Sequence, residues 1–272
     1  MMDRILQGQY AGPFNALLAK QIKVLDWNIE RGLKLDGVTD VIRRERPDVC
    51  ILQEVDVNTK RTGKRNLADL LASQFQFNYV FGFEFEELAQ GSSTDKAFQG
   101  QATLARYRIE APRVLRFSRQ SGHWNPRWYL PAWEMFQPRR GGRMCLVSEL
   151  VIGRTRLVIY NVHLESKEGD DLRLWQISEV LQDSLRYPHG TPIIIAGDMN
   201  TRVVPTPLRD YLLASGFRDA CEGTHCQITR PKGDRLDWIF LRGPVESSGI
   251  KVHNDVRASD HYPLSTNLTF TR

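Results

Sequence analysis

Three short apolar runs in this chain each end abruptly in polar residues, and that repetition restricts the fold more than any other feature. Ile22-Lys23-Val24-Leu25 leads into Asp26-Trp27-Asn28-Ile29-Glu30. Asp48-Val49-Cys50-Ile51-Leu52 leads into Gln53-Glu54-Val55-Asp56. Thr191-Pro192-Ile193-Ile194-Ile195-Ala196 leads into Gly197-Asp198-Met199-Asn200. Their β-branched and leucine-rich content reads as buried strands. A fourth polar cluster, Ser259-Asp260-His261, lies just before the strand-like run from Leu264 to Phe270. Polar groups gathered at several strand ends are how an α/β scaffold builds a site. Carboxylate, amide and imidazole groups also suit a hard divalent cation and a phosphate-cleaving reaction.

The rest of the chain supplies further strands and a few helices. Val38, Val41 and Ile42 form a helical stripe that Pro47 ends, and residues 66–75 read as a second helix. Leu174, Ile177, Leu181 and Leu185 share one face of a helix over 170–185. Thr206 and Pro207 open another helix, as cap and first helical residue, and Gly216 closes it. Short strand-like runs fall at 79–83, 102–106, 113–117, 236–241 and 250–252. Residues 144–152 and 155–163 read as a hairpin turning at Gly153-Arg154. An antiparallel pair among mixed elements, without repeats or a linker, favours a two-sheet sandwich over a simple parallel sheet. Residues 1–21 are expected to form an N-terminal arm and 22–272 a single domain. Cys50 and Cys145 read as core thiols, and Cys221 and Cys226 are expected to be free.

Charge and composition narrow the partners. No apolar stretch approaches the ~20 residues of a membrane span, and no signal peptide is evident, so a cytoplasmic monomer is expected. Between Arg106 and Arg143 nine arginines face only Glu110 and Glu134. Such a strip suits an anionic partner, a phosphate-rich polymer or a lipid headgroup. The loop over 118–142 adds Trp124, Trp128, Trp133, Tyr129 and Phe136, aromatics that stack on bases or dip into a membrane interface. Nucleic acid is the favoured partner and peripheral membrane contact the second. Arg106, Trp124, Trp128 and Arg143 are the candidate substrate contacts. The cations Lys60, Arg61, Lys64 and Arg65 after Glu54 belong either to that surface or to a solvated loop.

Taken together and in order, the clusters resemble the endonuclease/exonuclease/phosphatase superfamily, which includes DNase I-like nucleases, abasic-site endonucleases, inositol phosphatases and neutral sphingomyelinases. The resemblance spans about residues 22–270. It implies a four-layered αββα sandwich of two mixed sheets flanked by helices, and Mg²⁺-dependent hydrolysis of phosphodiesters by in-line attack of water, with Mn²⁺ as the alternative ion. The matching positions imply metal-binding roles for Asn28, Glu54 and Asp260. They imply that His163 contacts the scissile phosphate or protonates the leaving group, and that Asp198 and Asn200 position the attacking water. Asp198 and Asn200, two apart on an extended segment, are expected to point the same way. Asp237 matches the aspartate that holds the final histidine, His261. Asp198 and His261 both remain candidates for the base. A histidine beside a buried aspartate is held in one tautomer and charges more readily.

One position departs from the DNase I-like pattern. Those members carry a glutamate just before the strand at 100–106 that supports the catalytic histidine, and the corresponding position falls near Phe98-Gln99, where this chain has no carboxylate. The reading that results is a nuclease acting on nucleic acid. The alternative is a phosphatase or phospholipase C-type enzyme acting on an inositol phosphate, a sphingomyelin-like lipid or another small phosphoester.

Overall fold

A computed structural model describes residues 4–12, 20–124, 129, 138–201, 206–222 and 226–271. Its strands, in chain order, are β1 (Ile5–Gln9), β2 (Gln21–Asn28), β3 (Val49–Val57), β4 (Asn78–Glu87), β5 (Phe98–Ala105), β6 (Arg108–Arg116) and β7 (Arg139–Gly141). They continue with β8 (Met144–Ile152), β9 (Thr155–His163), β10 (Ile193–Asp198), β11 (Arg218–Asp219), β12 (Asp237–Arg242), β13 (Val245–Val252) and β14 (Leu264–Phe270). The helices are α1 (Leu35–Glu45), α2 (Leu67–Phe75), α3 (Asp170–Ser184) and α4 (Pro207–Ala214).

The strands form two mixed sheets. The first has the order β1-β4-β5-β3-β2-β14-β13, with β7 added to β4, and the second the order β11-β12-β10-β9-β8-β6. Val38, Val41 and Ile42 of α1 and Leu67, Leu71 and Ala72 of α2 bury against the outer face of the first sheet. Ile177, Val180 and Leu181 of α3 and Leu208 and Leu212 of α4 cover the second. Between the sheets lies a third core that includes Val24, Ile51, Ile159, Ile194, Ile239 and Leu264. The architecture is therefore a helix–sheet–sheet–helix sandwich, each sheet buried on both faces, which is why its central strands read as continuous apolar runs.

The helix signals act as their chemistry dictates. Asn66 caps α2 by accepting from Asp69 N, and Thr206 caps α4 by accepting from Leu208 N. The N-terminal segment contributes β1, which pairs antiparallel with β4. The strand expected at 250–252 begins earlier, at Val245, because an irregularity between Ser248 and Lys251 breaks its alternation. Cys221 and Cys226 are joined as a disulfide rather than free, while Cys50 and Cys145 are buried thiols. Their Cα atoms lie 5.9 Å apart, within the span a disulfide bridges. Among the described residues no helix is long and apolar enough to cross a membrane.

One polar group of contacts interrupts the apolar layer between the sheets. Asn161 Nδ2 donates to Leu52 O and Ala102 O across the gap, at 3.0 Å each. Gln53 Nε2 donates at 2.9 Å to both Asn161 Oδ1 and Asp26 Oδ1. Gly197, at φ 135°, lies so close to Val162 that a Cβ would fall 2.0 Å from its carbonyl oxygen, so only glycine fits before Asp198. Asn161→Ala would remove the bonds to both carbonyls and one of the two short bonds of the Gln53 amide. We expect it to lower the unfolding free energy by about 2–4 kcal/mol, read from urea denaturation. A loss below ~0.5 kcal/mol, the level of an indifferent surface change, would show that the bridge between the sheets carries no stability.

Candidate active site

Strand register assembles the centre of the site. Asp198 ends β10, which runs parallel to β9 and antiparallel to β12. In that register Asp198 lies opposite His163 on one side and Asp237 on the other, so three adjacent strands present one residue each at the same level. His261 arrives from the turn before β14, where Ser259 Oγ donates to Asn28 O and accepts from His261 N. Trp27 Nε1 donates to His261 O at 2.9 Å, tying the turn to β2.

Two imidazoles converge on one carboxylate oxygen. His261 Nε2 and His163 Nε2 each lie 3.6 Å from Asp198 Oδ2, and Asn28 Nδ2 donates to the same oxygen at 3.1 Å. Asp198 Oδ1 accepts from Asn200 N at 2.9 Å. Asn200 is not extended: its φ of 50° turns the chain, and its side-chain amide donates to Leu164 O. Asp198 and Asn200 are thus joined by a tight turn rather than by pointing the same way along a strand.

Each imidazole is backed by a buried carboxylate. His261 Nδ1 lies 2.8 Å from Asp237 Oδ2, and the backbone N–H groups of Leu236 and Asp237 donate to Thr229 Oγ1. Burial opposes charge on His261, but Asp237 and Asp198 on its two sides prevail and lift it to about 10. Asp198, Asp237 and His261 lie within 4.8 Å of one another, a cluster that metals also favour. Here Nδ1 is occupied by Asp237 and Nε2 faces Asp198, so the trio reads as an ion triad.

Behind His163 stands Glu84. Its Oε2 is 3.3 Å from His163 Nδ1, and its Oε1 accepts from Arg143 Nη1 at 2.6 Å. The same Arg143 nitrogen lies 2.8 Å from His163 Nε2, so that ring nitrogen is an acceptor. Burial raises the Glu84 carboxyl, but His163 and Arg143 hold it below the ordinary range. The carboxylate support missing near Phe98-Gln99 is therefore present, on the neighbouring strand. An irregularity between Phe83 and Phe85 displaces the β4 register there and turns Glu84 inward. A glutamate alternating with Phe81, Phe83 and Phe85 on a strand is the signal that marks it.

Glu54 occupies a comparable bulge in β3, between Leu52 and Val55, at φ 52°. Gln99 Nε2 donates to its Oε2 at 3.1 Å, Arg139 Nη1 donates to Gln99 Oε1, and Arg31 Nε lies 3.7 Å away. Burial works against ionisation, yet the surrounding His163, Arg31, Arg139 and Arg143 bring this carboxyl down to about 2. Because His163 Nε2 is an acceptor towards Arg143, the arginines are the dependable cations around it. Gln99, Arg31 and Arg139 are site residues that motif spacing does not reveal.

The other expected residues are placed unevenly. Asp260 is half exposed and accepts from Arg230 Nη2 at 3.3 Å, outside the buried cluster. Arg143 is buried between Glu84, His163 and Ser166, and Trp124 packs on Phe85 and donates to Glu165 Oε2. Both line the wall of the site as packed groups. Arg106 lies over the Phe77 ring beside Asp48, at the end of β3 opposite Glu54, and is not brought to the site. Trp128 lies outside the described residues. The arginine strip is largely compensated: Arg113 pairs with Asp183, Arg139 with Glu87, Arg140 with Glu86 and Arg143 with Glu84. Arg61 likewise pairs with Asp56 and Glu87, and Lys64 with Asp95.

The Endonuclease/Exonuclease/phosphatase family matches the chain over residues 27–261. No curated protein matches it. A solved endonuclease/exonuclease/phosphatase structure from Bacteroides vulgatus superposes with a TM-score of 0.68 at 14% identity, covering 92% of this chain and 99% of the other. One from Beutenbergia cavernae gives 0.65 at 18%, covering 92% and 72%. TDP2 from Caenorhabditis elegans gives 0.64 at 19%, covering 95% and 77%.

A raised histidine has a testable sign. His261 titrates near 10 when folded and near ~6.5 when unfolded. The stability it lends is fully present below about pH 6.5 and lost as pH rises through about 10. His261→Gln is therefore expected to destabilise more at pH 6 than at pH 10. NMR titration of the metal-free protein should place the His261 ring near 10, and Asp237→Asn should lower it by ~1–3 units. An unchanged titration in that variant would show that Asp237 does not hold the charge.

Proposed function

The chain belongs to the endonuclease/exonuclease/phosphatase family, a family of phosphoric-ester hydrolases, and on that footing we propose that it hydrolyses phosphodiesters, with nucleic acid as substrate and a divalent cation, Mg²⁺, as cofactor. The observation that carries this reading is the convergence of two carboxylate-backed imidazoles on Asp198 Oδ2. In-line attack on a phosphodiester needs an acceptor for the water proton and positive groups where phosphoryl charge develops. His261, held as an imidazolium, cannot take another proton, which leaves Asp198 as the acceptor. Asn200 N and Asn28 Nδ2 fix the two oxygens of Asp198, so its orientation towards the water is set before substrate binds. His261 then serves as a cation towards the phosphoryl oxygens. Arg143, bonded to both His163 and Glu84, supplies a second cation beside them.

The residues fit a hard cation. Glu54 is ionised and set on a bulge facing the site, and the Asn28 amide oxygen spends one hydrogen bond on Glu30 N. Oxygen donors of this number suit an ion that keeps much of its own water. When bound, the cation would supply Lewis-acid stabilisation of charge on the phosphoryl group.

A second reading, hydrolysis of a small phosphoester or lipid headgroup, gains support from the internal pairing of the arginine strip. That pairing weakens the attraction the strip would exert on a long polyanion. Hydrolysis of labelled duplex, single-stranded and abasic-site DNA with Mg²⁺ separates the two. Cleavage that Asp198→Ala lowers by ~10³-fold or more is the expected result. Inert DNA alongside turnover of inositol phosphate or dispersed sphingomyelin would move the assignment to the second reading. Glu84→Gln should lower kcat by ~10-fold or more with KM little changed, because it acts through His163. Glu54→Gln should raise the Mg²⁺ concentration needed for half-maximal rate; an unchanged requirement would remove Glu54 from the metal site.

A further inference from the structure

Beside the catalytic pair runs a groove whose cations, unlike those of the arginine strip, are largely uncompensated. It has a volume of about 1010 Å³ and lies between the loop carrying Ile228 and Arg230, the end of β13 at Lys251 and Val252, and the turn carrying Arg257 and Tyr262. That volume is at the upper end of the ~300–1,000 Å³ of small-ligand sites, enough for more than one nucleotide-sized group. Among the described residues no acidic residue lines it. Among the same residues Lys251 and Arg257 form no ion pair, Arg257 Nη1 donating only to the Asn254 and Val256 carbonyls, and Arg230 pairs with the half-exposed Asp260. The buried Nε of Arg230 has no acceptor. Apolar surface accompanies these charges. Ile228 is 49% exposed and the Tyr262 ring lies 5.7 Å from the Arg257 guanidinium.

The groove is built from the segments that hold the catalytic residues. Thr229 O accepts from Tyr262 N at 2.7 Å, and Thr229 Oγ1 accepts from Asp237 N at 3.2 Å. Tyr262, on the groove wall, follows His261 directly, so one turn connects the groove to the histidine of the site. The disulfide fixes the loop at Cys226, on the groove wall. A strand with a base every step and an anion between bases matches a floor of Ile228, Val252 and Tyr262 flanked by Lys251, Arg257 and Arg230.

Resting on the reading of the active site as a nuclease centre, we propose that this groove is a subsite for the single strand flanking the scissile phosphate. Its apolar floor takes a base, and Lys251 and Arg257 take the neighbouring phosphates. The test is binding of a fluorescent octathymidylate to the whole protein without divalent metal, by anisotropy across a salt series. Lys251→Gln with Arg257→Gln should weaken binding about tenfold or more at 50 mM salt. It should also lower the slope of log affinity against log salt by about 1.4, at ~0.7 for each phosphate that is no longer neutralised. Glutamine keeps most of the length of both side chains, and an unchanged melting temperature will show that the fold is intact. Equal affinity and slope in wild type and variant would overturn the proposal, as would a loss of binding confined to anionic phosphatidylserine vesicles. In parallel, Mg²⁺-dependent hydrolysis of bis(p-nitrophenyl) phosphate, which fills only the catalytic centre, should be the same in both proteins. Failure of the wild type to hydrolyse it would count against the nuclease reading itself, independently of the binding result.

Discussion

The site depends on two sheets being held at one relative position, and a buried amide holds them there. Apolar layers slide at little cost, because dispersion and hydrophobic burial are nearly non-directional. Asn161 removes that freedom. Its amide donates to one carbonyl on β3 and one on β5, while its oxygen accepts from Gln53, which also binds Asp26. Shifting one sheet by a residue would strand several buried polar groups at once, each costing about 1–3 kcal/mol. Burial, with Asp237 and Asp198 nearby, pushes the Asp26 carboxyl well above the usual range. Because the sheets are fixed, Glu54 and Asn28 from one and Asp198, His163 and Asp237 from the other face the same opening.

Charge in this protein is governed by pairing in space more than by content along the chain. A run of nine arginines with two acids reads as an electropositive strip. In three dimensions four of them meet Glu84, Glu86, Glu87 and Asp183, which belong to other parts of the sequence. Around the catalytic residues the same pairing has a different use. Arg143 brings Glu84 into the charged form, and the pair then fixes His163 from both sides. Asp237 and Asp198 do for His261 what no exposed pair would do, because screening by water is removed.

Most of the framework is legible in the sequence because it follows from local rules. The apolar runs, the helix stripes and the caps at Asn66 and Thr206 state their own conformations, and the polar clusters at strand ends mark Asn28, Glu54, Asp198, Asp237 and His261. What stays hidden depends on strand irregularity and on partners distant in sequence. The family likeness looks for the supporting carboxylate near Phe98-Gln99, whereas an irregularity on β4 supplies it as Glu84. Arg31, Gln99 and Arg139 gather on Glu54 from three separate segments. Asn200 adopts positive φ, which spacing along an extended chain cannot anticipate. The Cys221–Cys226 pair needs the loop's return path, and two cysteines five apart do not specify it.

These facts divide the molecule into a fixed centre and an adaptable rim. The candidate catalytic groups sit on strand ends or on turns bound to them and are held by hydrogen bonds and ion contacts with their neighbours. Changing any one disturbs the others, so the chemistry is kept by mechanical coupling within the site. The rim is built differently. The loop carrying Ile228 and Arg230, the end of β13 and the turn at Arg257 meet the centre through Thr229 and Tyr262. Substitutions there alter shape and charge without moving Asp237 or His261. A scaffold of this kind can keep one reaction while its substrate changes, because the loops around a shared centre vary independently of it.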